Sequence, residues 1–152
     1  MCPARERARA WRLAGPPPSL RLVLVAENWC YMASSKGKVL IVEDQFLAAE
    51  FLRIWVEAYG FQVCGVAKSA NRAVELATQH GPDYVLMDMR LEGERDGVDA
   101  ALEISQTQQP RFIYCTGSSE PSTMKRIAED HPFEILIKPI NHEDLGEALL
   151  RP

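Results

Sequence analysis

Val39-Leu40-Ile41-Val42-Glu43-Asp44 is an unbroken apolar run that stops on two acids. Two further runs stop on charge in the same way. Tyr84-Val85-Leu86-Met87 ends at Asp88, and Ile135-Leu136-Ile137 ends at Lys138-Pro139. A strand with one face in water alternates apolar and polar residues, whereas a strand covered on both faces is apolar throughout, as in a helix-flanked parallel sheet. In open parallel sheets the ligand crevice lies just beyond the carboxyl ends of the strands. Three acids and one lysine are therefore expected to meet in one cleft.

Outward from these runs, strand and helix patterns alternate five times. The first strand is Val39 to Glu43. Gln45 to Tyr59 follows as a helix, with Phe46, Ala49, Leu52, Val56 and Tyr59 at helical spacing and Gly60 closing it. Phe61 to Ala67 reads as the second strand. Ser69 caps a helix whose buried stripe is Ala73, Val74, Leu76 and Ala77, stopped by Gly81-Pro82. Tyr84 to Met87 is the third strand, and the next helix lies around Val98 to Ser105. Phe112 to Cys115 is the fourth strand, and a fourth helix covers Ser122 to Glu129. Ile135 to Ile137 is the last strand, and Asn141 caps the last helix with Asp144 at the capping-box position. Such repetition predicts an α/β fold with a doubly wound parallel sheet.

Composition narrows the function classes. The net charge is −4 with no basic block, which gives no electrostatic footing for direct nucleic-acid binding. No apolar run reaches the length that crosses a bilayer, so no membrane association is expected. Cys2, Cys30, Cys64 and Cys115 are scattered and suit reduced thiols in the cytoplasm better than disulfides or zinc. Residues 1–35 differ from the rest: arginines among alanines, then Pro16-Pro17-Pro18, then a short apolar stretch broken by Glu27. They read as an N-terminal extension, disordered or absent from the natural product, ahead of one domain over 36–152. Met32-Ala33-Ser34-Ser35 resembles an ordinary start.

The strand-end residues imply a particular chemistry. Like charges of this kind repel by about 4 kcal/mol per pair at 4 Å and an effective dielectric near 20. Lys138 offsets part of that repulsion, and a divalent cation could offset more. The donors are all oxygens and none of His80, His131 and His142 sits at a strand end, so Mg²⁺ fits better than zinc. An Asp is already ionised at neutral pH and needs no general base to attack a phosphoryl group. The metal and Lys138 would neutralise the transferring oxygens. Thr116 could donate a hydroxyl hydrogen bond to the same group, and Gly117 would leave room for close backbone approach.

These pieces, together with Met89-Arg90-Leu91, Asp96-Gly97-Val98, Thr116-Gly117 and Lys138-Pro139, resemble the receiver domain of two-component response regulators in order and spacing from about Lys38 to Leu150. The resemblance implies a CheY-like, flavodoxin-like sheet of strand order 2-1-3-4-5. It implies Asp88 as phosphoacceptor, with Mg²⁺ held by Asp44, Asp88 and the Arg90 backbone carbonyl, and by Glu43 largely through water. Lys138 and Thr116 would contact the phosphoryl group, and the Lys138-Pro139 bond would be cis. Ile135 departs from the pattern, which has an aromatic switch residue there; Phe133 is a weaker substitute.

The implied role is a phosphorelay receiver, not an enzyme beyond its own phosphorylation and dephosphorylation. It would be a stand-alone regulator or an excised receiver. A sensor histidine kinase or histidine phosphotransfer protein would supply the phosphoryl group. A protein target would bind the face of the fourth helix, fifth strand and fifth helix; a homodimer is left open. Two alternatives stand beside it. A pseudo-receiver would be an interaction module that is never phosphorylated. A haloacid-type aspartyl phosphohydrolase needs a second Asp two positions after the nucleophile, where this chain has Arg90.

Overall fold

Each of the five runs read as strands from Val39 onward forms a strand. The computed structural model describes residues 35–117 and 121–152, so the expected extension over residues 1–35 lies outside the described residues apart from Ser35. The strands are β1 (Lys38–Val42), β2 (Gln62–Ala67), β3 (Tyr84–Asp88), β4 (Arg111–Thr116) and β5 (Glu134–Ile137). Between and after them run α1 (Phe46–Ala58), α2 (Ala70–His80), α3 (Gly97–Ser105), α4 (Pro121–Glu129) and α5 (His142–Leu150). All strand pairs are parallel and the order is β2-β1-β3-β4-β5, as expected.

Successive side chains of a strand point to opposite faces, and here both faces are covered. Val39, Ile41, Leu86, Ile113 and Cys115 pack against α1 and α5 through Ala49, Leu52, Val56, Leu145 and Leu149. Leu40, Val42, Val85, Met87, Phe112 and Tyr114 pack against α2, α3 and α4 through Ala73, Val98, Ala101, Ile104 and Ile127. Two-sided burial is why the runs carry no alternation.

Local chemistry sets the helix ends. The Ser69 hydroxyl accepts from the Arg72 N–H, and the Asn141 side chain accepts from the Asp144 N–H at 2.8 Å. Gly60 and Gly81 follow α1 and α2 with φ of 86° and 56°, where a side chain would be strained. Element boundaries fall within a residue or so of those expected.

One core assignment is corrected: Phe46, expected in the buried stripe of α1, is 66% exposed. It occupies the first turn, at the rim beyond the end of β1, and the stripe that reaches the sheet is Ala49, Leu52 and Val56. Val74 and Tyr59 are only half-buried. Among the described residues, no helix is long and apolar enough to cross a membrane.

Candidate functional site

Sheet register gathers the site. Val42 of β1 lies beside Met87 of β3, Asp88 beside Cys115 of β4, and Thr116 beside Ile137 of β5. Glu43, Asp88, Thr116 and Lys138 consequently stand at the same rim, although nearly a hundred residues separate the first from the last. One carboxylate oxygen from each of Glu43, Asp44 and Asp88 lies within 4.8 Å of the other two. The Lys138 ammonium donates to Glu43 Oε2 at 2.6 Å and to Asp88 Oδ2 at 2.7 Å. Its main-chain N–H donates to the Thr116 carbonyl at 2.8 Å, which fixes the start of the β5–α5 loop.

Burial sharpens the electrostatics. Glu43, Asp88 and Thr116 are 1%, 6% and 1% exposed, whereas Asp44 is half-buried. Desolvation raises the Glu43 carboxyl above its ordinary pKa; the Lys138 hydrogen bond opposes this and the Asp88 charge adds to it. Burial also works against the Lys138 charge, but hydrogen bonds and attraction from Asp88 and Glu43 outweigh it and raise the ammonium pKa. Cys115, fully buried beneath the site, is pushed up to about 12 by desolvation and stays a neutral thiol. Among the described residues, one ammonium pairs with two of the three carboxyl groups.

The remaining expected residues take distinct places. The Arg90 N–H donates to Asp88 Oδ1 at 3.3 Å, so its peptide borders the site, while its side chain is exposed. The Lys138-Pro139 bond is cis. A Cβ on Gly117 would meet open space among the described residues, so no protein neighbour demands glycine there. Ile135 packs, half-buried, on the α2–α3–α4 side of the sheet. Phe133 packs on the opposite side, against Tyr84 and under the Arg111 guanidinium, so it does not stand in for an aromatic at position 135.

A cleft of about 530 Å³ opens at Asp44 and Asp88, lined also by Arg90, Arg95, Thr116 and Thr123. Asp96 and Gly97 entered the sequence reading only as part of a matched motif, and Asp99 and Arg126 not at all. A Cβ on Gly97 would lie 2.1 Å from the Asp88 carbonyl oxygen, so α3 begins directly against the Asp88 backbone. Asp96 and Asp99 form a reciprocal capping box there, and both accept from Arg126 of α4. The Asp-x-x-Asp spacing signalled the cap; the pairing with Arg126 has no sequence signal.

Comparison with known proteins adds an independent line. The family model described as the response regulator receiver domain matches residues 39–150. The transcriptional regulatory protein PdtaR of Mycobacterium tuberculosis is 34% identical over 117 residues, covering 77% of this chain and 57% of that protein. The chain thus spans little more than half of that relative. The chemotaxis protein CheY of Bacillus subtilis is 31% identical, covering 74% of this chain and 93% of CheY. Among solved structures, the signal receiver domain of a modulated diguanylate cyclase from Desulfovibrio desulfuricans superposes with a TM-score of 0.70 at 36% identity, covering 74% of this chain and 90% of that one.

Proposed function

Because this chain belongs to the response regulator receiver domain family, we propose that it works as a phosphorylated switch in two-component signalling, with Asp88 as the acceptor. The observation that carries the reading is the placement of Lys138 between Glu43 and Asp88, within 2.7 Å of each, at the edge of a three-carboxylate cluster. A single ammonium leaves that cluster short of positive charge. Its donors are carboxylate oxygens, joined by the Arg90 peptide beside Asp88. This set suits Mg²⁺, which takes few carboxylates and retains waters. Asp44, Asp88 and the Arg90 carbonyl would hold the ion, with Glu43 behind a water. When bound, Mg²⁺ would supply charge neutralisation for the phosphoryl oxygens.

The protein's own groups do the rest. Asp88 presents an ionised oxygen to the phosphorus of a phosphohistidine. A P–O bond forms as the P–N bond breaks, and the electron pair leaves with the imidazole nitrogen. Lys138 is held where it can pass from the Asp88 carboxylate to a phosphoryl oxygen. Thr116, at the same rim, can hydrogen-bond another oxygen. Phosphorylation replaces the −1 carboxylate by an acyl phosphate of about −2 charge at a buried position, with strong acceptor oxygens that can bias a two-state rearrangement. The donor would be a cytoplasmic histidine kinase or phosphotransfer protein, and the reader a protein docking on α4, β5 and α5, where Ile137 and Leu150 are exposed.

Incubation with acetyl phosphate and Mg²⁺, followed by intact-mass measurement, tests the reading. One phosphoryl adduct is expected, not formed when the metal is chelated before the donor is added and absent in Asp88→Asn. An unchanged mass in the native protein would refute it.

A further inference from the structure

Four of the eight large apolar side chains exposed among the described residues lie within nine positions of α1: Phe46, Leu47, Phe51 and Ile54, at 66%, 69%, 56% and 52% exposure. The other four are spread over β2, α3, β5 and α5. This clustering has a geometry. Leu47, Phe51 and Ile54 follow one another at spacings of four and three, the seam along which one helix packs into another. The seam points away from the sheet, since Ala49, Leu52 and Val56 occupy the opposite side of α1.

We propose that this face binds a second copy of the same chain, with the two α1 helices antiparallel about a two-fold axis near Phe51. The seam is close to its own reverse: an aliphatic residue stands at each end, Leu47 and Ile54, with an aromatic between. Antiparallel pairing sets Leu47 of one copy on Ile54 of the other and brings the two Phe51 rings together at the axis, as an isologous contact requires. The flanking charges permit this. Arg53 binds Glu50 at 2.6 Å and Glu57 at 3.5 Å within its own helix. Across the axis, each Glu50–Arg53 pair meets its copy in reverse, arginine toward glutamate. On the other flank Phe51 and Trp55 line a mainly apolar groove of about 200 Å³, bounded by Pro139 and Ile140 and reaching Glu43 and Lys138, which can receive an edge of the opposing helix.

The area suits a reversible dimer. Leu47, Phe51 and Ile54, with the half-buried Trp55 beside them, offer about 400 Å² per copy, the size of a weak, transient interface. Leu47, Phe51 and Ile54 make no contact with Asp88 in the cleft, so the test is run on the protein without phosphoryl donor.

Sedimentation of the full chain across roughly 1 µM to 1 mM, the range a small interface implies, tests the proposal. A concentration-dependent monomer–dimer equilibrium is expected. Phe51→Glu should abolish it with far-UV circular dichroism unchanged, because the side chain is exposed, and Leu102→Glu on α3 should not affect it. Leu47→Lys and Ile54→Glu should each be monomeric alone and should dimerise when mixed, which reports the antiparallel register. A monomer at every concentration would overturn the proposal, including the case in which the face is kept for another protein. A dimer that survives Phe51→Glu would overturn it equally.

Discussion

At the residue scale, Lys138 and Glu43 decide whether three acids can share one rim. Glu43 is almost fully buried and its principal cationic partner is Lys138. Removing one partner of a buried pair leaves an uncompensated charge, which costs about 3–5 kcal/mol when both are fully buried. Lys138 is about a quarter exposed, so Lys138→Met should cost less, about 2 kcal/mol at pH 7, in urea unfolding. Glu43 should show its burial in the pH profile. Its folded pKa lies above the ordinary carboxyl value, so the folded state holds that proton more tightly. Stability relative to Glu43→Gln should then fall as pH rises from about the ordinary value of 4.5 through the raised one. Chemical unfolding of both proteins over that window checks this, and a flat difference would count against it. Lys138 has the same sense at the alkaline end. Its contribution is complete below the ordinary ammonium value and is lost as pH rises through the raised one. These residues were legible in the sequence because each follows an apolar run. Which oxygen the ammonium takes depends on sheet register, which no single run encodes.

Elements were legible where periodicity was strong. Continuous apolar runs gave the strands, and turn residues such as Gly81 and caps such as Ser69 and Asn141 gave the helix ends. Phe46 was misplaced because helical spacing cannot tell where the sheet's rim ends beneath the first turn. The close approach of the start of α3 to Asp88 was also hidden, since the reason for Gly97 lies in a different segment. A methyl group there would sit 2.1 Å from the Asp88 carbonyl oxygen and 2.9 Å from the Met87 side chain. Gly97→Ala gains about 1 kcal/mol of helix propensity at most. The backbone it strikes cannot yield as a flexible side chain would, so the net effect should be destabilising by about 1–3 kcal/mol. A lower thermal midpoint together with slower phosphorylation by acetyl phosphate is the expected pair of results. An unchanged rate would mean that α3 does not position Asp88.

For the whole molecule, the parallel sheet delivers four strand ends to one edge, and the two-sided core holds them there. That arrangement followed from the order of the runs, and the family comparison agrees with it over 39–150. What the sequence could not express is how the site reaches the surface. Asp96 and Asp99 at the start of α3 bind Arg126 of α4, so the backbone at Asp88 is linked through α3 to α4, while Ile135 packs on that same side of the sheet. A bound ion should be felt across the fold. A ligand that binds only the native state stabilises it by mass action, about 2.7 kcal/mol at a hundredfold excess over its dissociation constant. Mg²⁺ should therefore raise the thermal midpoint of the native protein and leave that of Asp44→Ala unmoved; equal shifts would remove Asp44 from the ion's site. The claim beneath all of this is that the Asp88 carboxylate itself becomes the acyl phosphate. Borohydride reduction of the phosphorylated protein, followed by peptide mass mapping, tests it most directly, since reduction converts an aspartyl phosphate to homoserine. Homoserine at position 88 and nowhere else is the predicted result, and homoserine at another acid, with Asp88 intact, would contradict the account.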